Sequence, residues 1–137
     1  MNKKPKKVFQ DGPIAAEKIA TSISNHQSKT SIEAHSIFLG QVSADSMPDQ
    51  VVKGIVYSSD EEKAEAAFYE IREEAFSKFD LTCMHIYHSL GLVNAGELYL
   101  FVFTSSTTKE QATMACDYLV DEICKRVAIN EEKIVSN

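Results

Sequence analysis

The sequence predicts an α+β domain in which helices cover one antiparallel or mixed sheet. Four runs rich in apolar and β-branched residues have the length and composition of strands, at residues 32–42, 51–57, 81–89 and 97–104. Three further segments carry apolar residues at the spacing of an amphipathic helix, at residues 14–28, 60–79 and 109–127. The order α-β-β-α-β-β-α therefore defines the fold class.

Start signals precede each of the three helices. The Asp-Gly-Pro stretch at residues 11–13 is an N-cap followed by a proline of the first turn. Capping boxes occur at residues 59–62 and 108–111. In this motif a hydroxyl side chain and an acid or amide side chain three residues later each accept a hydrogen bond from the other residue's backbone N-H. The faces expected to point inward are Ala64, Ala67, Phe68, Ile71, Ala75 and Phe79 on the second helix, and Ala112, Ala115, Cys116, Leu119, Ile123 and Val127 on the third.

Two loops join the strands in pairs. The loop at residues 43–49 is compatible with a hairpin between the first two strands. Gly91 and Gly96 mark the turn between the last two strands, because glycine adopts backbone angles that other residues avoid.

Length and composition indicate one folded unit. A chain of 137 residues with 44% apolar content supports a single core. The stretch Lys3, Lys4, Lys6, Lys7 is basic and broken by proline, so residues 1–10 are expected to be a disordered basic tail and residues 11–137 one domain.

Charge and residue usage exclude several classes of function. A net charge of -6 and a pI near 5.2 disfavour nucleic-acid binding, which requires concentrated positive charge. The sequence has no apolar run of about 20 residues and no signal-peptide core, so we expect a cytoplasmic protein without membrane association. Cys83, Cys116 and Cys124 lack metal-ligand spacing and are expected to be reduced, buried thiols, with no metal and no cofactor.

Two patterns resemble the large subunit of molybdopterin synthase. One is the strand at residues 34–42, AHSIFLGQV, which ends in a glycine, a spacer and a valine. The more distinctive pattern comprises His88, Gly91, Val93, Gly96 and Glu97, before a strand that ends at Thr104, Ser105 and Ser106. The segment 112–127 is similar to that family's last long helix, and the resemblance covers residues 31–133, about three quarters of the chain.

The resemblance implies a fold, a partner and a reaction. Such large subunits are homodimers with an α/β hammerhead type of fold. Each receives the C-terminal Gly-Gly tail of a small ubiquitin-like sulfur carrier. The carrier's thiocarboxylate gives sulfur to cyclic pyranopterin monophosphate, a pterin phosphate substrate, during molybdenum cofactor formation.

The resemblance also implies where the site lies. Phosphate binding and proton transfer require cations, which the family provides as an arginine, a His-Arg pair and two lysines. The corresponding positions here are Ser43 for the arginine, Thr108 and Lys109 for the pair, Cys124 for the first lysine, and Glu131 or Glu132 for the second. Uncompensated loss of one acid or base typically costs ~10²- to 10⁴-fold in rate.

Lysines beside the substituted positions are the candidate catalytic replacements. Lys125 follows the first position, but one step along a helix turns a side chain by ~100°, and Glu122 offers it a surface ion pair. Lys133 follows the second position on what is expected to be a flexible tail. Lys109, with Thr108 and Ser43, is the candidate for substrate binding, because free amides of a helix N-terminus attract phosphate.

Two side chains have a structural and a chemical interpretation. Cys124 continues the apolar stripe of the third helix and is expected to be a small buried residue rather than a nucleophile. His88 precedes the glycine turn and is interpreted as a hydrogen-bonded structural histidine rather than a general base.

Two functions of different classes follow. The first is a sulfur-transferring synthase subunit whose activity depends on replacement residues. The second is a catalytically inactive paralogue that binds the carrier or assembles with an intact large subunit. An edge strand binds an extended carrier tail through backbone groups more than through particular side chains. Carrier binding is therefore expected to persist when the cations are lost.

Overall fold

The computed structural model describes residues 7–136, whose strands form one mixed sheet with helices on both faces. This confirms the predicted fold class. The elements in chain order are β1 (Phe9–Asp11), α1 (Ala16–His26), β2 (Ala34–Gln41), β3 (Val51–Ser58), α2 (Glu61–Lys78), β4 (Cys83–Asn94), β5 (Leu98–Ser106), α3 (Lys109–Arg126) and β6 (Asn130–Ser136).

The sheet has the order β2-β5-β4-β3-β6, with the short β1 added beside β4. β1 pairs with β4 in parallel and the other pairings are antiparallel. β4 pairs with β5 through residues 83–88 and with β3 through residues 91–94. This one strand therefore joins the two halves of the sheet, and Gly91, with a φ of 85°, lies where the pairing changes.

The expected hairpin between the first two strands is wrong. β2 pairs with β5, whereas β3 pairs with β4 and β6. The connecting loop contains Pro48 and lacks the two-residue turn that fixes hairpin register, so the pairing is decided by burial instead. β5 is the best buried strand of the sheet, and β2 adds to its free edge.

The turn between the last two strands is shorter than predicted. Gly91 belongs to β4, which continues to Asn94, and the turn itself contains Gly96 at a φ of 91°. The Glu97 carboxylate accepts a hydrogen bond from the Asn94 backbone N-H at 2.8 Å and closes this turn.

Two strands were not predicted. β1 lies partly within the expected disordered tail: residues 1–6 fall outside the described part of the chain, but Val8 and Phe9 are buried in the core. β6 replaces the expected flexible tail around Lys133 and pairs with β3. A three-residue strand and a strand that begins Asn-Glu-Glu-Lys have little apolar periodicity, so only tertiary pairing defines them.

The helix start signals are partly correct. Thr108 caps α3 by accepting from the Gln111 N-H at 3.3 Å, as predicted. Asp60 rather than Ser59 caps α2, because the Ser59 hydroxyl donates to the Ala128 carbonyl. Asp11 does not cap α1: it ends β1, and α1 begins at residue 16 without a side-chain cap.

The helices cover the sheet unequally. α2 and α3 pack on one face over the largest cluster of buried side chains, which contains Phe68, Ile71 and Leu119. α1 covers the other face, near Phe101 and Phe103. A smaller cluster under β3 contains Tyr57 and adjoins the C-terminal end of α3 through Ile129.

An ion-pair network links α2 to α3. The Arg126 guanidinium donates to both oxygens of Glu74, at 2.6 and 2.8 Å, and to Glu122 at 3.1 Å. Tyr118 donates its hydroxyl proton to Glu74 at 2.8 Å. The hydrogen bonds from Arg126 and Tyr118 lower the pKa of Glu74 to about 2.

We predict that this network stabilises the fold above the ordinary pKa of a glutamate and is lost on acidification. Since the pKa of Glu74 is lower in the folded chain than in the unfolded chain, its contribution declines as pH falls from about 4.5 towards 2. Urea unfolding of the parent and of Glu74→Gln should give stabilities that differ at pH 7 and converge at pH 2.5. A difference that does not change with pH would contradict the prediction.

Candidate functional site

The C-terminal end of α3 and the start of β6 form one candidate site. The resemblance assigns its lysines to Cys124 and to Glu131 or Glu132, and of these Cys124 and Glu131 act on Tyr99 electrostatically. The pKa of Tyr99 is raised, mainly by burial and to a smaller extent by the electrostatic effects of Glu131 and Cys124. The pKa of Tyr57 is also raised, mainly by burial and to a smaller extent by the electrostatic effects of Glu131 and Tyr99. This end of the molecule thus holds neutral phenols beside a carboxylate.

An aromatic cluster supports that end. The rings of Tyr57 and Tyr99 are stacked with centroids 5.2 Å apart. The His88 ring meets them edge-on, at 5.2 Å from Tyr57 and 5.6 Å from Tyr99. His88 is buried, its Nδ1 lies 2.8 Å from the Ser89 carbonyl, and burial lowers its pKa. It is therefore a neutral structural histidine, as the sequence predicts.

Gly40 has a steric role in this cluster. A Cβ atom on Gly40 would lie 2.7 Å from Cζ of Tyr99. The glycine of the Gly-x-Val pattern is therefore required because the Tyr99 ring lies directly over the β2 backbone.

Ser43 lies in an open cleft of about 400 Å³ at the same end of β2. The cleft is lined by residues 41–44 together with Ala95 and Gly96. The Ser43 hydroxyl accepts a hydrogen bond from the Asp45 N-H at 3.1 Å. This hydroxyl is exposed and uncharged, where the family's arginine would carry a positive charge.

Cys124 is exposed, which corrects the expectation of a buried thiol. Cys83 and Cys116 are buried, as predicted. The buried face of α3 contains Cys116, Leu119 and Ile123 but not position 124, so the thiol lies outside the apolar stripe. A cysteine at this position is accessible to solvent and to a bound molecule.

The two candidate replacement lysines differ in position. Lys125 has a side chain that is 71% exposed and lies 4.0 Å from the Glu122 carboxylate, the predicted surface pair. Lys133 lies on β6 opposite Ile55, two residues after Glu131, which lies opposite Tyr57. Because alternate residues of a strand share a face, Lys133 projects on the same face as Glu131, whereas Glu132 projects on the other.

The N-terminus of α3 holds the remaining candidates, Thr108 and Lys109. The Lys109 backbone N-H donates to the Glu33 carboxylate at 2.9 Å, and the Gln111 N-H donates to the Thr108 hydroxyl. The Glu33 carboxylate of the same chain therefore binds the helix N-terminus, where free amides were expected to bind phosphate. Neither Glu33 nor the tyrosines were singled out in the sequence, because only the long-range pairing of β2 with β5 brings Glu33 to α3.

The folded chain does not bring all the candidates together. Ala34, at the start of β2, pairs with Ser106 just before α3, whereas Ser43 follows the other end of β2. The intervening strand has 8 residues, or roughly 25 Å at about 3.3 Å per residue. Ser43, Cys124, Glu131 and Lys133 therefore form one group, and Thr108 with Lys109 forms another at the opposite end.

Comparisons with known proteins agree with this architecture. The model of the family described as "MoaE protein" matches residues 9–126. The chain belongs to the MoaE protein family. The molybdopterin synthase catalytic subunit of Pyrococcus abyssi is 32% identical over 98 residues, which is 72% of this chain and 66% of the relative. That of Caulobacter vibrioides is 39% identical over 62 residues, 45% of this chain and 41% of the relative.

The matched segments thus span between about two fifths and two thirds of these relatives' lengths. Among solved structures, molybdopterin synthase from Staphylococcus aureus has a TM-score of 0.82 at 19% identity, over 99% of this chain and 95% of that one. A complex of subunits 1 and 2 of molybdopterin-converting factor from Helicobacter pylori has a TM-score of 0.80 at 15% identity. The match covers 95% of this chain and 85% of that one. At these identities the two structures support the fold.

Within residues 7–136, no group of three or more His, Cys, Asp or Glu side chains is arranged to hold a metal ion. In the same part of the chain, every helix is too short or too polar to span a bilayer.

We predict that Gly40→Ala destabilises the protein by about 1–3 kcal/mol, the usual range for overpacking. The added methyl group would displace Tyr99, which is half-buried in the aromatic cluster. Thermal unfolding measures the effect, and Tyr99→Leu provides the matched background. If Gly40→Ala costs as much with leucine at position 99 as with tyrosine, contact with the ring is not the cause.

Proposed function

We propose that this protein acts as the large subunit of a molybdopterin synthase in the cytoplasm, transferring sulfur from a carrier thiocarboxylate to cyclic pyranopterin monophosphate. The observation that carries the proposal is the position of Lys133. It projects from β6 on the face of Glu131, two register pairs along from the pair of Tyr57 with Glu131. At about 3.3 Å per residue, its Cα is only ~7 Å from that of Glu131, so a flexible lysine reaches the position its neighbour occupies.

The local charges give Lys133 a specific task. Glu131 is an exposed carboxylate that would repel both the substrate phosphate and the carrier's thiocarboxylate. An ammonium beside it neutralises the local charge and supplies the proton donor that the reaction needs. Lys125 lacks this role because it pairs with Glu122 on the solvent side of α3.

The partner we propose is a small ubiquitin-like sulfur carrier whose C-terminal Gly-Gly tail enters at this end. β6 is the last strand of the sheet, so its outer edge accepts an extended peptide through backbone hydrogen bonds. The similarity to a solved complex named for subunits 1 and 2 of molybdopterin-converting factor supports a two-subunit assembly.

We further propose a homodimer formed along the edge of β2. Three consecutive apolar residues of this edge strand, Ile37, Phe38 and Leu39, are 37–43% exposed. An unpaired apolar edge favours association with another strand. Antiparallel pairing of β2 with its copy would bring the start of one strand against the end of the other. Thr108 and Lys109 of one protomer would then approach Ser43 of its partner and complete a composite site.

A second candidate function is a non-catalytic protein that binds the carrier. Two carboxylates favour it: Glu33 occupies the α3 N-terminus, and Glu131 stands at a lysine position. Both weaken phosphate binding but leave the edge of β6 unchanged. The substrate and the carrier therefore distinguish the two functions.

We predict that reconstitution with thiocarboxylated carrier and cyclic pyranopterin monophosphate yields dithiolene product. Lys133→Ala should lower the rate about 10²-fold or more, as for loss of an acid-base residue, whereas Lys125→Ala should change it less than twofold. Carrier binding without product would reject the synthase function and favour the binding protein. Equal rates for Lys133→Ala and the parent would reject the role of Lys133.

We predict that Phe38→Asp converts a dimer into a monomer, because a carboxylate at a paired apolar edge is costly to bury. Light scattering after gel filtration measures the mass. Tyr69→Asp is the matched control, since Tyr69 is 39% exposed on α2 against 37% for Phe38 on β2. A parent protein that is monomeric at high concentration, or a Phe38→Asp variant that remains dimeric, would contradict the proposed interface.

A further inference from the structure

A second cleft lies far from the Cys124 and Glu131 end of the molecule. It has a volume of about 360 Å³ and opens between the end of α1, the middle of α2 and the start of β4. Its size falls in the range of small-ligand sites. None of its lining side chains is a carboxylate, although acidic residues outnumber basic ones by 20 to 14 in the whole chain. The cleft is therefore a local concentration of positive charge.

Arg72 is the main cation of this cleft. Burial lowers its pKa, and the opposing effects of Tyr87, Glu73 and Glu65 do not restore it. Within residues 7–136, the Arg72 guanidinium makes no hydrogen bond or ion pair. A half-buried guanidinium with five unused N-H donors pays a desolvation cost that an anion would offset.

Lys29 faces the same space from the end of α1. Its ammonium donates one hydrogen bond, at 2.7 Å, to the Cys83 thiol. An ammonium group has three donors, so two remain for a ligand. Lys29, in the segment that follows α1, and Arg72, on α2, thus approach the cleft from two different parts of the chain.

Two histidines form the inner wall. His26 Nδ1 lies 2.6 Å from the Ser22 carbonyl, so this nitrogen carries a proton and donates it. His26 Nε2 faces His85 Nε2 at 3.3 Å. Imidazoles add polar edges to the wall without adding negative charge.

The remaining wall is apolar. Phe76 of α2 lines the cleft and is 42% exposed, an unusual exposure for a phenylalanine on a packed helix. Met84 lines the floor next to it. A ligand held by Arg72 would place any organic portion against this ring.

We propose that the cleft binds a small organic phosphate, with the phosphate held by Arg72 and Lys29 and the organic group packed on Phe76. Guanidinium binds phosphate through two parallel hydrogen bonds, which an ammonium supplements as a point charge. The inference is independent of the proposed synthase function, because none of its residues belongs to that site.

Phenyl phosphate is the probe, titrated at constant ionic strength and followed by calorimetry. We expect saturable binding of phenyl phosphate. Arg72→Gln should weaken its affinity about tenfold. Lys53→Gln is the control, because it removes an equal charge from an exposed position of β3 and should leave the affinity unchanged. Phe76→Ala should weaken phenyl phosphate but leave inorganic phosphate unaffected. Equal loss in the Arg72 and Lys53 variants, or no saturable binding, would overturn the proposal.

A second measurement uses the parent protein and so does not depend on whether a variant folds. Cys83 lines the cleft, whereas Cys124 is exposed at the other end. Bound phenyl phosphate should slow alkylation of Cys83 by iodoacetamide in a saturable manner and leave the rate at Cys124 unchanged, as read by peptide mass spectrometry. Unchanged alkylation of Cys83 at saturating phenyl phosphate would reject binding in this cleft.

Discussion

The double pairing of β4 holds the sheet together. Its first half bonds to β5 and its second half to β3, so the core under α2 and α3 and the smaller cluster around Tyr57 share one continuous backbone. Gly91 adopts a positive φ where the partner changes. Three residues earlier, the buried His88 ring packs against Phe9, Tyr57 and Tyr99. Two residues of the family pattern thus have structural roles, Gly91 at the change of strand partner and His88 in the aromatic cluster.

This explains why the fold was predictable and parts of it were not. Strands with strong apolar character and helices with capping hydroxyls follow from local chemistry, and α2, α3 and β5 lie close to their predicted positions. β1, β6 and the pairing of β2 depend on contacts distant in sequence, which periodicity does not encode. Phe9 is buried against Phe68 and His88, and both residues are far from it in the sequence.

The candidate site was predictable only as a set of positions. The resemblance located Cys124 and either Glu131 or Glu132, but Tyr57 and Tyr99 became part of the site only once β6 was paired with β3. The exposure of Cys124 is a tertiary property that the apolar spacing of the helix did not predict. Separation of Lys109 from Ser43 along β2 likewise followed from the register with β5.

The charges decide which function the site can perform. The resemblance assigns two lysines to the end of α3 and the start of β6, whereas here an exposed cysteine and a carboxylate occupy those positions. Burial first, and then the Glu131 carboxylate, raises the pKa of Tyr57 and of Tyr99 and keeps both phenols protonated. Catalysis therefore needs a cation from elsewhere. In the function proposed above, Lys133 would provide one on the same strand face, and a partner's Lys109 would provide another only if the β2 edges pair.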